Sequence, residues 1–303
     1  MSRIAVTGST GLIGEALVAS LTADGHTVQR VVRDPGKAGP DDLVWDLRAR
    51  TIERDKLEGV DGVVHLAGEP IGASRWTSET KRRIHDSRTA GTRLIAMTLA
   101  DLAAPPAVLV SGSAVGYYGD RGDEVLTESS AAGDDFLARV TRDWEAAADP
   151  AREAGIRVAH PRTGVVIAKD GPLIEKVELP FKLGVGGRIG NGRQYVPWIS
   201  LEDEVRALRF LLDGDLDGPV NLVAPNPATN RELTEALGTV MRRPTLLPIP
   251  PFAIKALYGE MGDTLATVSQ RVQPTRLLDA GFTFSHERLV DALRVALRAG
   301  SGR

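Results

Sequence analysis

Short apolar runs alternate with longer stretches whose apolar residues recur every three or four positions, and this alternation fills the first half of the chain. The stretches predict helices near Gly11–Ala23, Ser78–Leu102 and Asp134–Ala154. The runs are rich in Val and Ile and predict strands near Arg3–Thr7, Thr27–Val32, Leu43–Trp45, Gly62–Leu66, Ala107–Ser111 and Arg157–His160. Because strands that alternate with helices form a parallel sheet with crossover helices, we expect a doubly wound α/β domain.

The pattern changes after Pro161. Glycines crowd residues 184–192, prolines cluster between Pro219 and Pro251, and no regular strand–helix rhythm continues. We therefore predict a first domain over residues 1–163, with a strand added from about residues 219–223, and a smaller α/β lobe over residues 164–303. A last helix near His286–Arg298 is expected to dock on this lobe, because Leu289, Leu293 and Leu297 share one face.

Composition and charge exclude several classes of function. The 303 residues carry a net charge of −3 and show no basic stripe, so we expect no nucleic-acid partner. No apolar run has the length of a membrane span or of a signal peptide, which makes the cytoplasm the simplest expected location. Cysteine is absent and the five histidines lie far apart, so we predict no disulfide, no thiolate catalysis and no metal site.

A glycine-rich turn follows the first predicted strand and opens the first helix. Glycines at this point let the backbone approach a pyrophosphate, and the helix start offers free N–H groups. An ordinary strand–helix turn also uses glycine, but the strand–turn–helix context favours a Rossmann-type dinucleotide site. The predicted cofactor contacts in this turn are Gly8, Thr10, Gly11, Leu12, Ile13 and Gly14.

The end of the second strand indicates which dinucleotide binds. NAD-specific folds usually place an acidic residue there for the ribose 2′-hydroxyl, whereas this chain has Arg33, whose guanidinium suits a 2′-phosphate. We therefore predict NADP(H). Asp34 could serve the 2′-hydroxyl instead, although Asp34-Pro35-Gly36 is also a common turn sequence. Asp46, at the end of the third strand, is predicted to lie by the adenine, with a capping carboxylate as the alternative.

Small residues end the fourth strand. In Leu66, Ala67, Gly68 and Glu69 we predict backbone that lies against the adenosine ribose and pyrophosphate, although buried packing requires small residues as well. Arg88, on the following helix, is predicted to bring a cation to the diphosphate or the nicotinamide ribose; a solvated helical arginine is the alternative.

Three of these segments together resemble an extended short-chain dehydrogenase/reductase: Thr7–Gly14, Leu66–Gly68 and Ser111–Gly119. More narrowly, the chain is similar to the atypical, epimerase-like family that is sometimes labelled sugar-nucleotide epimerase or SulA-type cell-division inhibitor. That similarity extends through segments 143–145, 186–194, 197–199, 224–227 and 270–274. It implies a Rossmann domain, NADP(H) and a small carboxy-terminal domain of unassigned role.

The resemblance also implies a catalytic Ser, Tyr and Lys, of which this chain matches only the serine, Ser113. With Glu145 aligned to the glutamate that often follows the Tyr-x-x-x-Lys motif, Leu137 and Thr141 stand at the Tyr and Lys positions. An aliphatic side chain exchanges no proton and a threonine supplies no cation, so the standard chemistry is in doubt. Tyr117 could supply a phenol from another direction, and a packing role is its alternative.

The resemblance places the substrate on the second lobe. We predict contacts from Arg193, Gln194 and Trp198, each of which is also a plausible surface or core residue. Arg162 follows the sixth strand and is predicted to lie by the nicotinamide. If Arg162 is buried it requires carboxylate partners, for which Glu202 or Asp203 is expected.

These expectations combine into an NADP(H)-dependent oxidoreductase that acts on a small carbonyl or alcohol, with Ser113 polarising the reacting oxygen. A sugar-nucleotide epimerase and a non-catalytic NADP(H)-binding protein, which senses redox state or binds a partner protein, are the alternatives. The resemblance leaves a homodimer open.

Overall fold

The computed structural model describes residues 1–298. Its strands are β1 (Arg3–Thr7), β2 (Thr27–Val32), β3 (Leu43–Asp46), β4 (Thr51–Ile52), β5 (Gly62–His65), β6 (Val108–Ser111), β7 (Ser113–Ala114), β8 (Val125–Leu126), β9 (Arg157–Thr163), β10 (Val165–Ile167), β11 (Tyr195–Val196), β12 (Trp198–Ser200), β13 (Gly218–Leu222), β14 (Ala228–Thr229) and β15 (Arg271–Val272). The α-helices are α1 (Leu12–Ala23), α2 (Ser78–Ala100), α3 (Phe136–Ala146), α4 (Asp149–Glu153), α5 (Pro172–Lys182), α6 (Leu201–Asp213), α7 (Asn230–Met241), α8 (Pro251–Thr267), α9 (Thr275–Asp279) and α10 (Leu289–Arg298), and short 3₁₀ helices cover Pro35–Lys37, Arg54–Leu57 and Val115–Tyr118.

A central sheet of nine strands organises the first half of the chain. Its order is β13-β9-β6-β5-β1-β2-β3-β4, and β7 also pairs with β9. All neighbours are parallel except β3 and β4, which form an antiparallel hairpin. The strand order reverses between β1 and β5, where a doubly wound sheet leaves a crevice at the carboxyl ends of its strands. The predicted Rossmann-type fold class is confirmed.

Both faces of this sheet are buried. Val6 points into an apolar layer formed with α1 and α6, which includes Leu17 and Leu208. Its neighbour Ala5 points into the opposite layer, formed with α2 and α4. Successive side chains of a strand point to opposite faces, so a strand covered on both sides is apolar throughout. This is why the runs of Val and Ile identified the strands.

Two predicted elements differ in extent. The helix expected over Asp134–Ala154 is two helices, α3 and α4, because Pro150 lies in the first turn of α4 and cannot continue a helix that begins earlier. The sixth strand runs on to Thr163, since β13 pairs with β9 from Gly218 to Leu222 and satisfies its backbone. The strand predicted from about residues 219–223 is therefore part of the main sheet.

The smaller lobe has an apolar core of its own. Ile174 and Phe181 of α5, Leu233 and Leu237 of α7, and Leu293 of α10 pack together there. The helix predicted near His286–Arg298 begins at Leu289. Among the helices of residues 1–298, none has both the length and the apolar character that crossing a membrane requires.

Candidate active site

The glycine turn lies at the switch point of the sheet, where β1 passes into α1. Gly8 has φ +66°, and a Cβ there would lie 2.8 Å from the carbonyl carbon of Leu66. A Cβ on Gly14 would lie 2.2 Å from the carbonyl oxygen of Gly8. No side chain caps the start of α1. The turn thus packs at backbone distance from the Leu66–Ala67 segment and leaves the helix start open, which fits a pyrophosphate.

Thr7 and His65 hold these two segments together. The Thr7 Oγ1 accepts hydrogen bonds from the N–H groups of Leu66 at 3.0 Å and Ala67 at 3.1 Å, and lies 2.8 Å from Nδ1 of His65. Since both lone pairs of the hydroxyl oxygen are used, its proton must go to Nδ1. Burial lowers the pKa of His65 to about 4, which keeps the ring neutral and able to accept. This bridging role of Thr7 and His65 could not be predicted from the sequence, because a histidine within a strand carries no signal of its partner.

Arg33 and Asp34, the two candidates for the ribose contact, differ in their surroundings at the end of β2. Arg33 is exposed directly after the strand. The Asp34 carboxylate accepts a hydrogen bond from the N–H of Gly36 at 3.0 Å and caps the short 3₁₀ helix, as a turn residue does. Asp46 is occupied in the same way: its carboxylate accepts from the N–H groups of Arg48 and Ala49, and these bonds lower its pKa. An adenine contact for Asp46 stays a prediction.

Arg88 holds the backbone of the Gly68–Glu69 segment. Its Nη1 donates to the carbonyl oxygens of Glu69 at 2.9 Å and Ile84 at 3.1 Å, and its guanidinium stacks on Trp144 at 5.0 Å from the ring centre. Ser87 Oγ accepts from the N–H of Glu69 at 3.1 Å. Burial lowers the pKa of Arg88 to about 10, so the side chain stays charged at neutral pH. Arg88 therefore shapes the segment predicted to line the cofactor.

Ser113 belongs to a buried network of charged residues. Its hydroxyl donates to Oε1 of Glu145 at 2.6 Å. Arg162, only 2% exposed, donates from Nε to Oε1 of Glu145 at 2.8 Å and from Nη2 to Oε2 at 2.9 Å. Burial alone would raise the pKa of Glu145, but the hydrogen bonds and charge of Arg162 outweigh it and hold the pKa below its ordinary value.

This pairing corrects the expectation that Glu202 or Asp203 is the partner of Arg162. Asp203 accepts instead from the N–H groups of Ser285 at 2.7 Å and His286 at 2.9 Å, which ties the start of α6 to the chain before α10. Glu202 is exposed. Successive side chains of a strand point to opposite faces of the sheet. Arg162 therefore points to the face that carries α3, where it meets Glu145, and its neighbours Pro161 and Thr163 point to the other face.

Two tyrosines follow Ser113 and differ in their surroundings. Tyr118 is buried, donates to Oδ1 of Asn221 at 2.6 Å and accepts from Nη1 of Arg162 at 3.1 Å, and burial raises its pKa to about 12. The ring of Tyr117 is half-buried, and its centre lies 3.4 Å from the guanidinium carbon of Arg162. The Tyr117 hydroxyl has no hydrogen-bond partner among residues 1–298.

Leu137 and Thr141 pack where the resemblance implies Tyr and Lys. A Cβ on Gly116 would lie 3.3 Å from Cβ of Leu137 and 3.7 Å from Oγ1 of Thr141. The Thr141 hydroxyl donates to the carbonyl of Leu137 at 2.8 Å within α3. Leu137 has no proton to transfer and Thr141 carries no charge and directs its hydroxyl to a carbonyl, so α3 serves here as a support for the turn that carries Tyr117.

A second carboxylate lies buried beside this site. Glu204, in the first turn of α6, accepts from the hydroxyl of Thr163 at 2.7 Å, and its other oxygen has no partner in the described part of the chain. Burial raises the pKa of Glu204 to about 8, so the group is largely protonated at neutral pH. Its burial could not be predicted from the sequence, because acidic residues in a first helical turn are ordinarily exposed.

The predicted substrate contacts separate in space. Trp198 lies in the apolar core of the second lobe, where its indole N–H donates to the carbonyl of Asn226 at 3.1 Å. The Gln194 amide donates to the carbonyls of Ile189 at 3.3 Å and Ala266 at 3.0 Å. Both side chains thus stabilise the lobe, and their substrate contacts stay predictions. Arg193 is exposed and borders a cavity.

Known proteins resemble this chain in both sequence and structure. Residues 4–143 match the NAD dependent epimerase/dehydratase family, and residues 249–296 match a domain of unknown function, DUF1731. The Epimerase family protein Mb2239 of Mycobacterium bovis is 44% identical over 294 residues, which cover 97% of each chain.

Two solved structures extend the comparison. Human epimerase family protein SDR39U1, crystallised with NADPH, superposes with a TM-score of 0.87 at 33% identity and covers 98% of this chain and 99% of its own. A nucleoside-diphosphate sugar epimerase from Corynebacterium glutamicum gives a TM-score of 0.79 at 37% identity over 98% of this chain and 58% of its own. The chain therefore belongs to the epimerase family that joins an NAD dependent epimerase/dehydratase domain to a DUF1731 domain, an atypical branch of the short-chain dehydrogenases/reductases.

Proposed function

We propose that this protein is an NADP(H)-dependent oxidoreductase that reduces a small carbonyl compound, with Tyr117 as the proton donor. The observation that carries the proposal is the contrast between the two tyrosines. Tyr118 is committed to Asn221 and Arg162, whereas the hydroxyl of Tyr117 has no partner within residues 1–298 and its ring lies against a guanidinium. The guanidinium of Arg162 stacks on the ring of Tyr117 and holds it in place.

The cofactor in this proposal is NADP(H), which human SDR39U1 also holds in its reduced form. The pyrophosphate would lie on the Gly8–Gly14 turn at the uncapped start of α1, beside the Leu66–Glu69 segment that Thr7 and Arg88 hold in place. Arg33 would bind the 2′-phosphate. These residues fit the group because the glycine turn brings backbone N–H groups to a helix start that has no side-chain cap.

Replacing Arg33 with Ala should weaken NADPH binding about tenfold and leave NADH binding unchanged, because a charged hydrogen bond to phosphate contributes roughly 1.5 to 3 kcal/mol before solvent screening. Fluorescence titration of each nucleotide measures both affinities. The matched variant is Asp34→Asn, which keeps the turn and should change neither affinity. Weaker NADH binding in Asp34→Asn, with no effect of Arg33→Ala, would instead assign the ribose to Asp34.

In the reaction we propose, bound NADPH supplies a hydride to the carbonyl carbon. The hydroxyl of Tyr117 gives its proton to the carbonyl oxygen, so that the product is an alcohol. Arg162 holds the Tyr117 ring in position, and the tyrosine recovers its proton from water because the ring is half-exposed. Ser113 has committed its single proton to Glu145. We therefore assign Ser113 a positioning role, in place of the oxygen-polarising role expected from the sequence.

Turnover of a panel of aldehydes and ketones, followed as NADPH oxidation, tests this function. Tyr117→Phe keeps the ring on Arg162 and removes the hydroxyl that donates the proton, so kcat should fall about a hundredfold or more while NADPH affinity stays constant. Ser113→Ala should lower kcat less, about threefold to tenfold. Equal rates for Tyr117→Phe and the unmodified protein would remove Tyr117 from the mechanism.

A second function is favoured by two specific observations. The Ser113 proton is engaged by a carboxylate, and Leu137 and Thr141 occupy the positions of the usual acid and its lysine. A protein that binds NADP(H) without catalysis needs neither a free serine proton nor an acid with its lysine, so both observations are compatible with it. If NADPH binds and no carbonyl in the panel is reduced, this reading replaces the first. A sugar-nucleotide epimerase, the function that the name of the Corynebacterium relative implies, would also use Tyr117 as its acid, and cofactor that stays bound through purification would favour it over the reductase.

A further inference from the structure

The short turn that carries Tyr117 is held in place by its neighbours. It is a 3₁₀ helix over Val115–Tyr118, after which the chain turns through Gly119 at φ +66°. A 3₁₀ helix of this length has weak hydrogen-bond geometry of its own, so its position depends on what it contacts. On one side it packs on Leu137 of α3, and the N–H of Gly133 donates to the carbonyl of Tyr117 at 2.9 Å.

Gln270, just before β15, binds both ends of this turn from the other side. Its side-chain Nε2 donates to the carbonyl oxygens of Val115 and Gly119, each at 3.0 Å. The two hydrogens of one amide nitrogen thus match two acceptors. Gln270 is 7% exposed, so water does not readily replace it as the donor to these carbonyls. The turn is therefore fixed at its start and at its end by a single side chain.

The backbone around Gln270 is itself anchored, which allows its side chain to fix the turn. The N–H of Gln270 donates to the carbonyl of Tyr195 at 3.2 Å. The hydroxyl of the preceding Ser269 accepts from the N–H of Tyr195 at 3.0 Å and donates to the carbonyl of Gly122 at 2.7 Å. On the other side of Gln270, β15 pairs with β8. Gln270 is thus held both by the second lobe and by the chain that follows the turn.

Other side-chain amides of the second lobe make contacts of a different kind. The Gln194 amide also donates to two carbonyls, but both belong to the second lobe. The Asn226 amide donates to the carbonyl of Glu287 at 3.0 Å, again within that lobe. Gln270 reaches across to the segment that carries Tyr117, and it lies within residues 249–296, which match a domain of unknown function.

We propose that Gln270 is a positioning residue for Tyr117 and that the DUF1731 domain takes part in the reaction through it. Proton transfer needs the phenol within hydrogen-bond distance of the reacting oxygen, and a displacement of about 1 Å can lower a rate by about a hundredfold. Gln270 acts on the turn and not on the nucleotide, so it affects kcat and not NADPH affinity. The effect on turnover rests on the proposed oxidoreductase function, whereas the contact with the turn does not.

Gln270→Met tests the effect on turnover, because it removes the amide and keeps a side chain of similar length. We expect kcat for a reduced carbonyl compound to fall about tenfold, with NADPH affinity in a fluorescence titration unchanged. Asn226→Ala is the matched control: it removes an amide-to-carbonyl bond that stays within the second lobe, and it should change neither value.

The same substitution in the Tyr117→Phe background separates positioning from a general loss of stability. Without a phenol to position, Gln270→Met should lower the remaining rate by less than about twofold. A side chain that merely stabilised the lobe would lower both rates by the same factor. An equal factor in the two backgrounds would overturn the inference. So would a Gln270→Met variant as active as the unmodified protein while Tyr117→Phe is impaired, and the oxidoreductase function would then stand.

Hydrogen exchange measured by NMR tests the contact without turnover and without any variant. In the unmodified protein the Nε2 protons of Gln270 should exchange with solvent at least about tenfold more slowly than the side-chain amide protons of the exposed Asn191. Exchange at equal rates would overturn the inference. If these protons are protected and no carbonyl compound is reduced, the oxidoreductase function falls together with the effect on turnover, and the contact between Gln270 and the turn stands.

Discussion

Replacing Glu145 with Ala is expected to lower the free energy of unfolding by about 3 to 5 kcal/mol, because it leaves the charge of Arg162 buried without a partner. Arg162 is 2% exposed, and Glu145 accepts from both its Nε and its Nη2. The lost carboxylate also frees Ser113 and leaves the guanidinium with only two neutral acceptors, the hydroxyl of Tyr118 and the carbonyl of Glu128, among the described residues. Urea denaturation of the purified variant measures the change.

The double variant Glu145→Ala/Arg162→Met separates the loss of a partner from the loss of the pair. If the unpaired charge is the main cost, the double variant should be more stable than Glu145→Ala alone, since the buried cation is gone and an apolar side chain of similar length fills its space. A double variant that is less stable than Glu145→Ala would show that Arg162 contributes through its contacts with Tyr117 and Tyr118 and not chiefly through Glu145.

Replacing Glu204 with Gln is expected to stabilise the protein at alkaline pH by about 2 to 4 kcal/mol and to have little effect near pH 4. Burial raises the pKa of this carboxyl from an ordinary value of 4.5 to about 8. Between those two values the unfolded chain has lost the proton while the folded chain keeps it. The free energy of unfolding contributed by Glu204 therefore falls as pH rises through this window, and an amide does not titrate.

The free energy of unfolding of both proteins, measured by urea at pH 4, 6 and 9, gives the difference directly, because all other titrations cancel. Glu202→Gln is the matched control: it changes an exposed glutamate two positions earlier in α6, and its difference from the unmodified protein should stay small at every pH. A difference for Glu204→Gln that is constant between pH 4 and pH 9 would show that the folded protein does not hold the extra proton.

The cation beside Tyr117 comes from an unusual place in the fold. Members of the superfamily that this chain resembles use a Tyr and a Lys on one helix, whereas here that helix offers Leu137, Thr141 and Glu145. Glu145 recruits Arg162 from β9, and Arg162 in turn supports Tyr117 from a turn that Gly116 allows to pack closely on α3. In the proposed mechanism the cation beside the phenol therefore comes from a strand and not from the tyrosine's own helix.

The sequence by itself determined the parallel sheet, its order of strands and helices, and the glycine turn. These depend on properties that neighbours in the chain share: a strand covered on both faces is apolar along its length, and a turn that meets a helix start needs glycine at fixed positions. The turn role favoured for Asp34 follows from the same local chemistry, since its carboxylate bonds Gly36 two residues away.

Only the tertiary structure decided which buried charges meet. Glu145 and Arg162 are 17 residues apart, on a helix and a strand, and their contact depends on which face of β9 points to α3. The partner predicted from the sequence was therefore Glu202 or Asp203, which lie at the start of α6 on the other side of the sheet. Likewise, Arg193 and Arg231 come from separate segments, and the cavity that both of them line exists only once the second lobe has folded. Pairs of this kind leave no pattern in the local sequence, because the two partners meet through space and not along the chain.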